Sequence, residues 1–289
     1  MSDQELLAQR FEDHRTYLHS VAYRMLGSTG EADDAVQEAW LRLSRSDSDQ
    51  VDNLRAWLTT VVGRVSLDLL RARKARHEDP DGSDHIEPIV SEVTEENPAE
   101  EVELADSVGL AMLVVLENLS PAERVAFVLH DMFGVPFSEI GEISGRTPDA
   151  ARQLASRARR RVRGSVPPAD PDMAEQRRVV EAFLAAARAG DFEALVELLD
   201  PNVVQRVHTV EGDRRAAEPA IGAENVARRA LARGRPFAPY GRPAIVNGGM
   251  GAVAEVDGRR LSVVALTISN GRIATMDVFL DPIEPPSRP

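Results

Sequence analysis

"FSEIGEISGRTPDAARQLASRARRRVR", residues 137–163, contains two short helix patterns joined by a turn that includes glycine. The first pattern ends at Gly145, and the second begins with Thr147 as a cap and a proline in its first turn. Two such helices, the second of them basic, predict a helix-turn-helix. The second helix is unusually positive, because residues 147–163 include six arginines and one aspartate.

The second helix should present its positive side chains outward. An inward apolar stripe is expected at Ala150, Leu154, Ala158 and Val162. A helix fits the major groove of DNA, where arginine pairs with guanine and glutamine with adenine. We predict base contacts from Arg152, Gln153, Ser156 and Arg157, and phosphate contacts from Arg146, Arg159, Arg160, Arg161 and Arg163. The alternative is a solvated helix end whose arginines complement the helix dipole.

The net charge of −13 conceals a strong local asymmetry. Eleven acidic residues and no lysine or arginine lie in residues 79–106, and the remaining chain carries a charge of only −2. A phosphate backbone meets the local field, so the total charge does not exclude nucleic acid. The absence of cysteine excludes disulfides and thiolate sites. With a polar start and no long apolar run, we expect a cytoplasmic protein with no membrane contact, cofactor or metal.

Pattern and composition divide the chain into modules. Residues 1–78 read as helices, with stops at Gly27 and after the basic cluster that ends near Arg76. In the second helical module, Ser120 and Glu123 form a capping box. The last module begins with helices and continues with strands separated by "VDGR" and "SNGR" turns. We expect a helical domain (1–78), an acidic linker (79–106), a helix-turn-helix domain (107–165), a linker (166–172), an α+β domain (173–281) and a tail (282–289).

Several stretches together resemble one protein family. "GEADDAVQEAWLRL", "NLRAWLTTVVGRVSLDLLRARKAR" and "LSPAERVAFVLHDMFGVPFSEIGEISGRTPDAARQLASRARRRV" resemble, in order and spacing, the core-binding, promoter-melting and minus-35-reading regions of bacterial sigma-70 initiation factors. The resemblance is to the extracytoplasmic-function group and covers about residues 8–164. It implies two all-α domains that bind the RNA polymerase core, at the β′ clamp helices and the β flap, and promoter DNA.

The resemblance assigns a polymerase contact to the second helix. Asp33, Asp34, Gln37 and Glu38 lie where family members face the β′ clamp helices, and acidic side chains there would complement a basic partner. A helix N-terminus that favours acidic residues is the alternative explanation.

The third helix resembles the part that reads and melts the minus-10 element. Melting requires unstacked bases to be held beside cationic side chains. The family resemblance implies that the loop at residues 46–53 captures a base. It also implies contacts with minus-10 DNA from Asn53, Arg64, Asp68, Arg71, Arg73 and Lys74. Trp57 follows the apolar period of Val61 and Val62, which favours a core position over a stacking role. The wider group commonly has an asparagine where this sequence has Arg64, so the contact made by that asparagine is not assigned to Arg64.

The acidic linker acquires a role only through the resemblance. In the family this connection runs through the active-site cleft and RNA exit path of the polymerase. A plain solvated linker fits the composition of residues 79–106 equally well.

Residues 173–281 resemble the SnoaL-like fold, a cone-shaped α+β barrel, best over "VVEAFLAAARAGDFEALVELLDPNVV". In a subgroup of the family, such a fused domain regulates the sigma domains through intramolecular contact. The subgroup's glycine-rich and "NPDK"-type motifs are replaced here by "VEGDRR" and "FLDPIEPP". Cyclases of this fold use a pocket acid or base. The candidates for a pocket, which could hold an unidentified small ligand, are Arg206, His208, Asp213 and Asp277.

We therefore predict a sigma factor that directs the polymerase core to minus-35 and minus-10 elements and performs no chemistry. Two alternatives remain open. One is a helix-turn-helix regulator that acts without polymerase. The other is a SnoaL-type cyclase or isomerase with a DNA-binding appendage.

Overall fold

The computed structural model describes residues 3–46, 53–76, 86–92, 110–163, 169–170, 172–209 and 218–280. They form two compact units. The first contains the described residues up to Glu87 together with residues 115–163, and the second contains the described residues from 88 to 114 and those after 163. Some predictions fall outside the described residues: the capture loop at 47–52, most of the acidic linker, Asp213 and the tail.

The first unit is helical. Its helices are α1 (Asp3–Leu26), α2 (Thr29–Leu43), α3 (Leu54–Arg76), the part of α4 (Leu110–Glu117) from Val115, α5 (Pro121–Phe127), α6 (Phe137–Ser144) and α7 (Pro148–Val162). A π turn, Val128–Met132, continues α5. Both predicted helical domains thus contribute to one compact unit.

Local sequence signals set the helix ends. Gly27 follows α1 with a φ of +78°, a left-handed conformation that glycine adopts without steric cost. The Ser28 hydroxyl then caps α2 by accepting a hydrogen bond from the Glu31 N–H at 3.3 Å. The predicted capping box is present at α5, where the Glu123 carboxylate accepts hydrogen bonds from the Ser120 N–H and hydroxyl at 3.2 and 2.6 Å.

Helix α3 packs against α1 and α2 and also against α5 and α6. At the closest approach, a Cβ on Gly63 would lie 3.2 and 3.3 Å from carbons of the Ile143 side chain. A glycine therefore lets α3 lie almost against α6. Nearby, Phe133 meets the edge of Tyr17 at 5.5 Å and lies under the Arg24 guanidinium at 4.9 Å.

Part of the acidic linker is built into the first unit. Ile86 is buried, and the Glu87 N–H donates to the Gly27 carbonyl at 2.8 Å. The Glu87 carboxylate accepts hydrogen bonds from the Thr29 N–H and hydroxyl at 2.9 and 2.8 Å. Burial raises the pKa of Glu87, but these hydrogen bonds outweigh it, so the pKa lies below its ordinary value. At these residues the linker is a fixed acidic partner for the start of α2.

The second unit combines helices with a seven-stranded sheet. Its elements are β1 (Val90–Ser91), α8 (Met173–Ala189), α9 (Phe192–Leu198), β2 (Leu199–Thr209), β3 (Ala220–Ile221), α10 (Ala223–Arg229), β4 (Gly241–Val246), β5 (Gly249–Val256), β6 (Arg259–Ser269) and β7 (Arg272–Leu280). A π turn, Ala230–Gly234, continues α10, and a 3-10 turn, Ala238–Tyr240, precedes β4.

The strand order is β1-β4-β5-β6-β7-β2-β3, with every pair antiparallel except β2 with β7. The predicted hairpin turns are present at Asp257-Gly258 and Asn270-Gly271, where both residues of each turn have positive φ. A third turn of this kind, at Asn247-Gly248, joins β4 to β5. The helices cover one face of the sheet, and Val180, Leu195, Val203, Ile268 and Ile273 lie in the core between them.

The predicted fold class, helical sigma-like domains followed by an α+β domain, is confirmed. Asp170, in the second linker, is fixed to the sheet: its N–H donates to the Ile268 carbonyl, and its carboxylate accepts from the Asn270 and Gly271 N–H groups. Across the part of the chain that the structure describes, no helix is both long enough and apolar enough to cross a membrane.

Candidate nucleic-acid interface and the C-terminal cavity

The predicted helix-turn-helix is formed by α6 and α7. Gly145 ends α6 with a φ of +67°, and the Thr147 hydroxyl accepts the Ala150 N–H at 3.2 Å to cap α7. A Cβ on Gly141 would lie 2.8 Å from the Arg146 carbonyl oxygen, so only glycine allows the turn to fold this closely onto α6. The turn therefore fixes the angle at which α7 leaves α6.

The buried stripe of α7 differs from the prediction by one position. Leu154 and Ala158 are buried as expected, but Ala151 and Ala155 complete the stripe, and Ala150 and Val162 are only partly buried. Residues 151, 154, 155 and 158 follow the i, i+3, i+4, i+7 pattern of a packed helix face, whereas a strict spacing of four drifts around the helix. The predicted outward residues are exposed: Arg146, Arg152, Gln153, Ser156, Arg157, Arg160, Arg161 and Arg163.

Three arginines of α7 are held by carboxylates of α5 and of the π turn that continues it. Glu123, whose side chain is 5% exposed, pairs with the Arg157 Nε at 3.1 Å and with an Arg161 guanidinium nitrogen at 2.6 Å. Arg159 pairs with Asp131 at 2.5 Å. This cluster, Glu123 with Arg157 and Arg161, is called the Glu123 bridge below. It fastens α7 to α5, so these arginines have a structural task besides any contact with DNA.

Glu123 stays ionised because its partners outweigh its burial. Burial raises the pKa of Glu123, whereas the hydrogen bonds from Ser120 and Arg157 and the charge of Arg161 lower it, and the net direction is downward. Sequence reasoning found the capping box but missed the arginine partners, because they lie 34 and 38 residues further along the chain.

The α3 residues fall into two groups. Arg64, Asp68, Arg71 and Lys74 are exposed. Asp68 and Arg71 pair at 3.4 Å, and Arg64 reaches the Glu142 carbonyl of α6 at 3.5 Å. Asn53 precedes the helix, and its side-chain oxygen accepts the Ala56 N–H at 3.1 Å. Trp57 is only partly buried, so its expected core position is not complete.

Arg73 corrects the prediction for α3. Its relative exposure is 8%, and its guanidinium donates to the Leu26 carbonyl at 2.8 Å and pairs with the Glu31 carboxylate. It therefore ties the end of α3 to the junction of α1 and α2. A guanidinium buried in this way cannot also lie on a DNA backbone, and Arg73 is removed from the candidate interface.

The candidate polymerase surface lies on α2. Asp33, Asp34 and Gln37 are exposed, while Glu38 is half-buried and pairs with Arg42 at 2.8 Å. Leu41, which sequence reasoning missed, continues the same face one turn later and is 37% exposed. Its signal in the sequence is its position outside the buried stripe of Ala35, Val36 and Ala39.

In the second unit, the structure brings Arg206, His208 and Asp277 together. Neighbouring strands β2 and β7 place Arg206 opposite Asp277. One Asp277 oxygen lies 3.1 Å from the His208 Nε2 and 3.4 Å from an Arg206 guanidinium nitrogen, and Asp277 is fully buried. Phe279 stacks on the His208 ring at 4.4 Å.

These three residues do not line the cavity of the second unit, which corrects the pocket prediction. The cavity is lined by Gln205 and Val207 on β2 and by Met276 and Val278 on β7. Successive side chains of a strand point to opposite faces, so Arg206, His208 and Asp277 lie on the other face of the sheet. Among the described lining residues there is no aspartate, glutamate or histidine.

Comparison with known proteins finds separate family matches for the two predicted helical domains. Residues 10–76 match the model of sigma-70 region 2, and residues 110–162 match that of sigma-70 region 4. The extracytoplasmic-function RNA polymerase sigma factor SigJ of Mycobacterium tuberculosis is 41% identical over 286 residues, covering 92% of this chain and 89% of SigJ. The probable extracytoplasmic-function sigma factor SigI of the same species is 36% identical, covering 98% of this chain and 96% of SigI.

A solved structure extends the similarity to the whole architecture. The crystal structure of the M. tuberculosis extracytoplasmic-function sigma factor SigJ matches with a TM-score of 0.75 and 37% sequence identity. The match covers 95% of this chain and 96% of that one, so it includes the C-terminal α+β domain.

Substitution of Glu123 by Gln tests the Glu123 bridge. At neutral pH we expect the free energy of unfolding to fall by about 1–3 kcal/mol, because two charge-assisted contacts weaken. The pKa of Glu123 is lower in the folded chain, so its contribution is complete above the ordinary value of about 4.3 and is lost as the pH falls through the folded value. The difference between the two proteins should therefore shrink in acid.

Urea unfolding at several pH values, followed by tryptophan fluorescence, measures the free energy of unfolding of both proteins. Both tryptophans, Trp40 and Trp57, lie in the first unit. Glu142→Gln, an exposed site on α6, makes the same change of charge and serves as the control. A stability difference that is the same at all pH values, or equal in both variants, would contradict the role of the bridge.

Proposed function

This chain belongs to the extracytoplasmic-function group of sigma-70 RNA polymerase sigma factors, and on that basis we propose which of its surfaces perform each step. It acts with the RNA polymerase core and promoter DNA and directs the initiation of transcription at promoters. The relatives are sigma factors and not enzymes, and we propose that this chain, too, catalyses no reaction and works in the cytoplasm beside the polymerase. The described residues that line the C-terminal cavity include no aspartate, glutamate or histidine that could act as a general acid or base, which supports that proposal.

Helix α7 reads the minus-35 element. The observation that carries this assignment is the geometry of the helix-turn-helix: α7 buries three alanines and one leucine and turns Arg152, Gln153 and Ser156 outward. These are the side chains that pair with base edges in a major groove. Arg146 and Arg160 contact phosphates on either side, while Arg157 and Arg161 orient the helix through the Glu123 bridge.

The remaining surfaces serve the minus-10 element and the polymerase. Arg64, Asp68 and Arg71 recur at helical spacing on α3, with Lys74 beside them, and form a face that can follow a single strand. On α2, Asp33, Asp34, Gln37 and Leu41 combine acidic charge with one exposed apolar side chain. Such a face fits a basic, partly apolar surface on the polymerase core.

Use of both promoter elements requires the helical unit to open. The two elements are named by positions roughly 25 base pairs apart, which is roughly 85 Å of DNA at about 3.4 Å per base pair. In the compact unit, α3 and α6 approach so closely that a Cβ added at Gly63 would lie 3.2 Å from the Ile143 side chain. The contact between Arg64 and the Glu142 carbonyl also occupies part of the proposed minus-10 face. We propose that this packing is a resting state that separates when the holoenzyme forms.

A disulfide between α3 and α6 tests the opening. The chain has no cysteine of its own, and the Gly63 and Ile143 positions are close enough for a bond in a Gly63→Cys, Ile143→Cys double variant. Oxidation should abolish promoter-directed transcription by added core polymerase, and reduction should restore it.

Each single variant under the same oxidant is the control for damage to either partner. Full transcription from the quantitatively cross-linked double variant would show that the packing need not separate.

Arg152→Ala and Arg160→Ala distinguish base reading from phosphate contact. Arg152→Ala should reduce discrimination at one minus-35 position by about tenfold or more, the effect of losing a bidentate contact with a base. Arg160→Ala should weaken binding to all sequences and reduce the dependence on salt by about one phosphate contact. Arg160 is a better choice than Arg161, whose loss would also break the Glu123 bridge.

Both variants are measured as holoenzyme on a set of minus-35 sequences at several salt concentrations. Unchanged sequence preference for Arg152→Ala, or a change of preference for Arg160→Ala, would reverse the assignment.

The C-terminal α+β domain regulates the sigma domains. The support is a folded domain, tied to its linker by Asp170, that lies within the 95% of this chain matched by the SigJ structure. A chain that ends after Pro168 should give a different level of promoter-directed transcription. An unchanged level would rule out this regulatory role.

A further inference from the structure

A cavity of about 370 Å³ lies between the helices and the sheet of the second unit. Its walls are mainly apolar and include Phe183, Leu184, Val207, Val264, Met276 and Val278. This volume is in the range of small-molecule sites, which are typically apolar and carry a few polar groups that fix the orientation of the ligand. The position of those polar groups indicates which ligand fits.

One polar group lies deep in the wall. Gln205 is only 5% exposed, and its Nε2 contacts the Met276 sulfur at 3.2 Å, which is a weak acceptor. Its Oε1 is buried and has no hydrogen-bond partner among the described residues. A buried carbonyl oxygen is costly when it is unsatisfied, and Oε1 has almost no accessible surface. A ligand with a hydrogen-bond donor, such as a hydroxyl group, would satisfy it once the amide group turns Oε1 toward the cavity that Gln205 lines.

Two positive side chains line the same cavity. Arg229 ends α10, and Arg233 lies in the π turn that follows, four residues later. Burial first, and the charge of Arg233 second, lower the pKa of Arg229, while Glu218 acts in the opposite direction. Arg233 is exposed and therefore marks the side of the cavity that is open to solvent, whereas Gln205 lies inside.

The π turn itself supports a binding role. A π turn costs hydrogen-bond geometry and is frequently found at functional sites. Here Ala230, Arg233 and Gly234 of the turn all line the cavity. The distortion widens the helix at the point where Arg229 and Arg233 both line the cavity.

We propose that this cavity binds an amphipathic carboxylic acid whose carboxylate pairs with Arg229 and Arg233, whose apolar body fills the cavity and whose far end carries a hydroxyl group that donates to Gln205. Carboxylates and guanidinium groups form the charge-assisted pairs that hold such a ligand at the opening. The inference concerns the C-terminal domain alone and does not depend on polymerase or promoter binding.

Three probes of equal length test the proposal by calorimetry with the full chain: dodecanoate, 12-hydroxydodecanoate and 1-dodecanol. We expect 12-hydroxydodecanoate to bind most tightly and dodecanoate less tightly. Dodecanol should bind about tenfold or more weakly than dodecanoate, because a neutral hydroxyl group, even when it donates to Gln205 in the reverse orientation, does not replace the charge-assisted pair with the arginines. Absence of binding by all three, or equal affinity for dodecanol and dodecanoate, would overturn the proposal.

Variants identify the groups involved. Arg233→Met keeps the apolar stem and should reduce the preference for dodecanoate over dodecanol, with Arg229 retaining part of it. Arg228→Met is the matched control, because Arg228 is exposed, pairs with Glu224 and does not line the cavity. Equal losses in the two arginine variants would refute a specific role for Arg233.

Gln205→Leu tests the inner end. It removes an unsatisfied oxygen, so the chain should remain folded, with an unchanged or higher melting temperature. The preference for 12-hydroxydodecanoate over dodecanoate should disappear. A retained preference in a folded variant would show that Gln205 does not receive the hydroxyl group.

Discussion

The buried carboxylate of Glu123 orients the basic helix on which promoter reading depends. It caps α5 through Ser120 and holds Arg157 and Arg161 of α7. A nearly buried charge is tolerated only when its partners satisfy it, so α5 and α7 cannot shift relative to each other without exposing the carboxylate or leaving it unpaired. The arginines of α7 therefore divide into those that attach the helix to α5, Arg157 and Arg161, and those that we propose to contact DNA.

A second constraint is the closeness of α3 and α6. Glycine at position 63 removes the side chain that would hold the two helices apart, and aromatic and cationic contacts at Phe133 close the packing nearby. Arg124 is buried in this unit, pairs with Glu117 and has two nitrogens without a hydrogen-bond partner among the described residues. Burial lowers its pKa. Such incomplete satisfaction is consistent with a packing that is meant to separate.

Local signals in the sequence were sufficient for most of the architecture. Helix caps at Ser120 and Thr147 and turns at Asp257 and Asn270 have short-range causes, and the structure contains all of them. Features that depend on distant partners could not be predicted this way. The Glu123 bridge, the burial of Arg73 and the fixed position of Glu87 each join residues more than 30 positions apart.

The sheet of the second unit shows the same limit of prediction from local sequence. Sequence alone selected Arg206, His208 and Asp277 as polar residues on strands, and the structure brings them together. It does not place them in the cavity, because the face of a strand residue is decided by register and not by its chemistry. The cavity is instead lined by Gln205, one position away, and by Arg229 and Arg233, which the sequence did not single out.

The buried alanines of α7 affect how its proposed binding to DNA should be measured. Three of the four buried residues on this helix are alanines, whose side chains are small, and ion pairs with Glu123 and Asp131 add to this packing. Added electrolyte therefore acts twice, once on the contacts between protein and phosphate and once on the seating of the helix itself. The absolute slope of affinity against ionic strength is then not a simple count of phosphates, and only the difference in slope between proteins that keep these ion pairs reports a single contact.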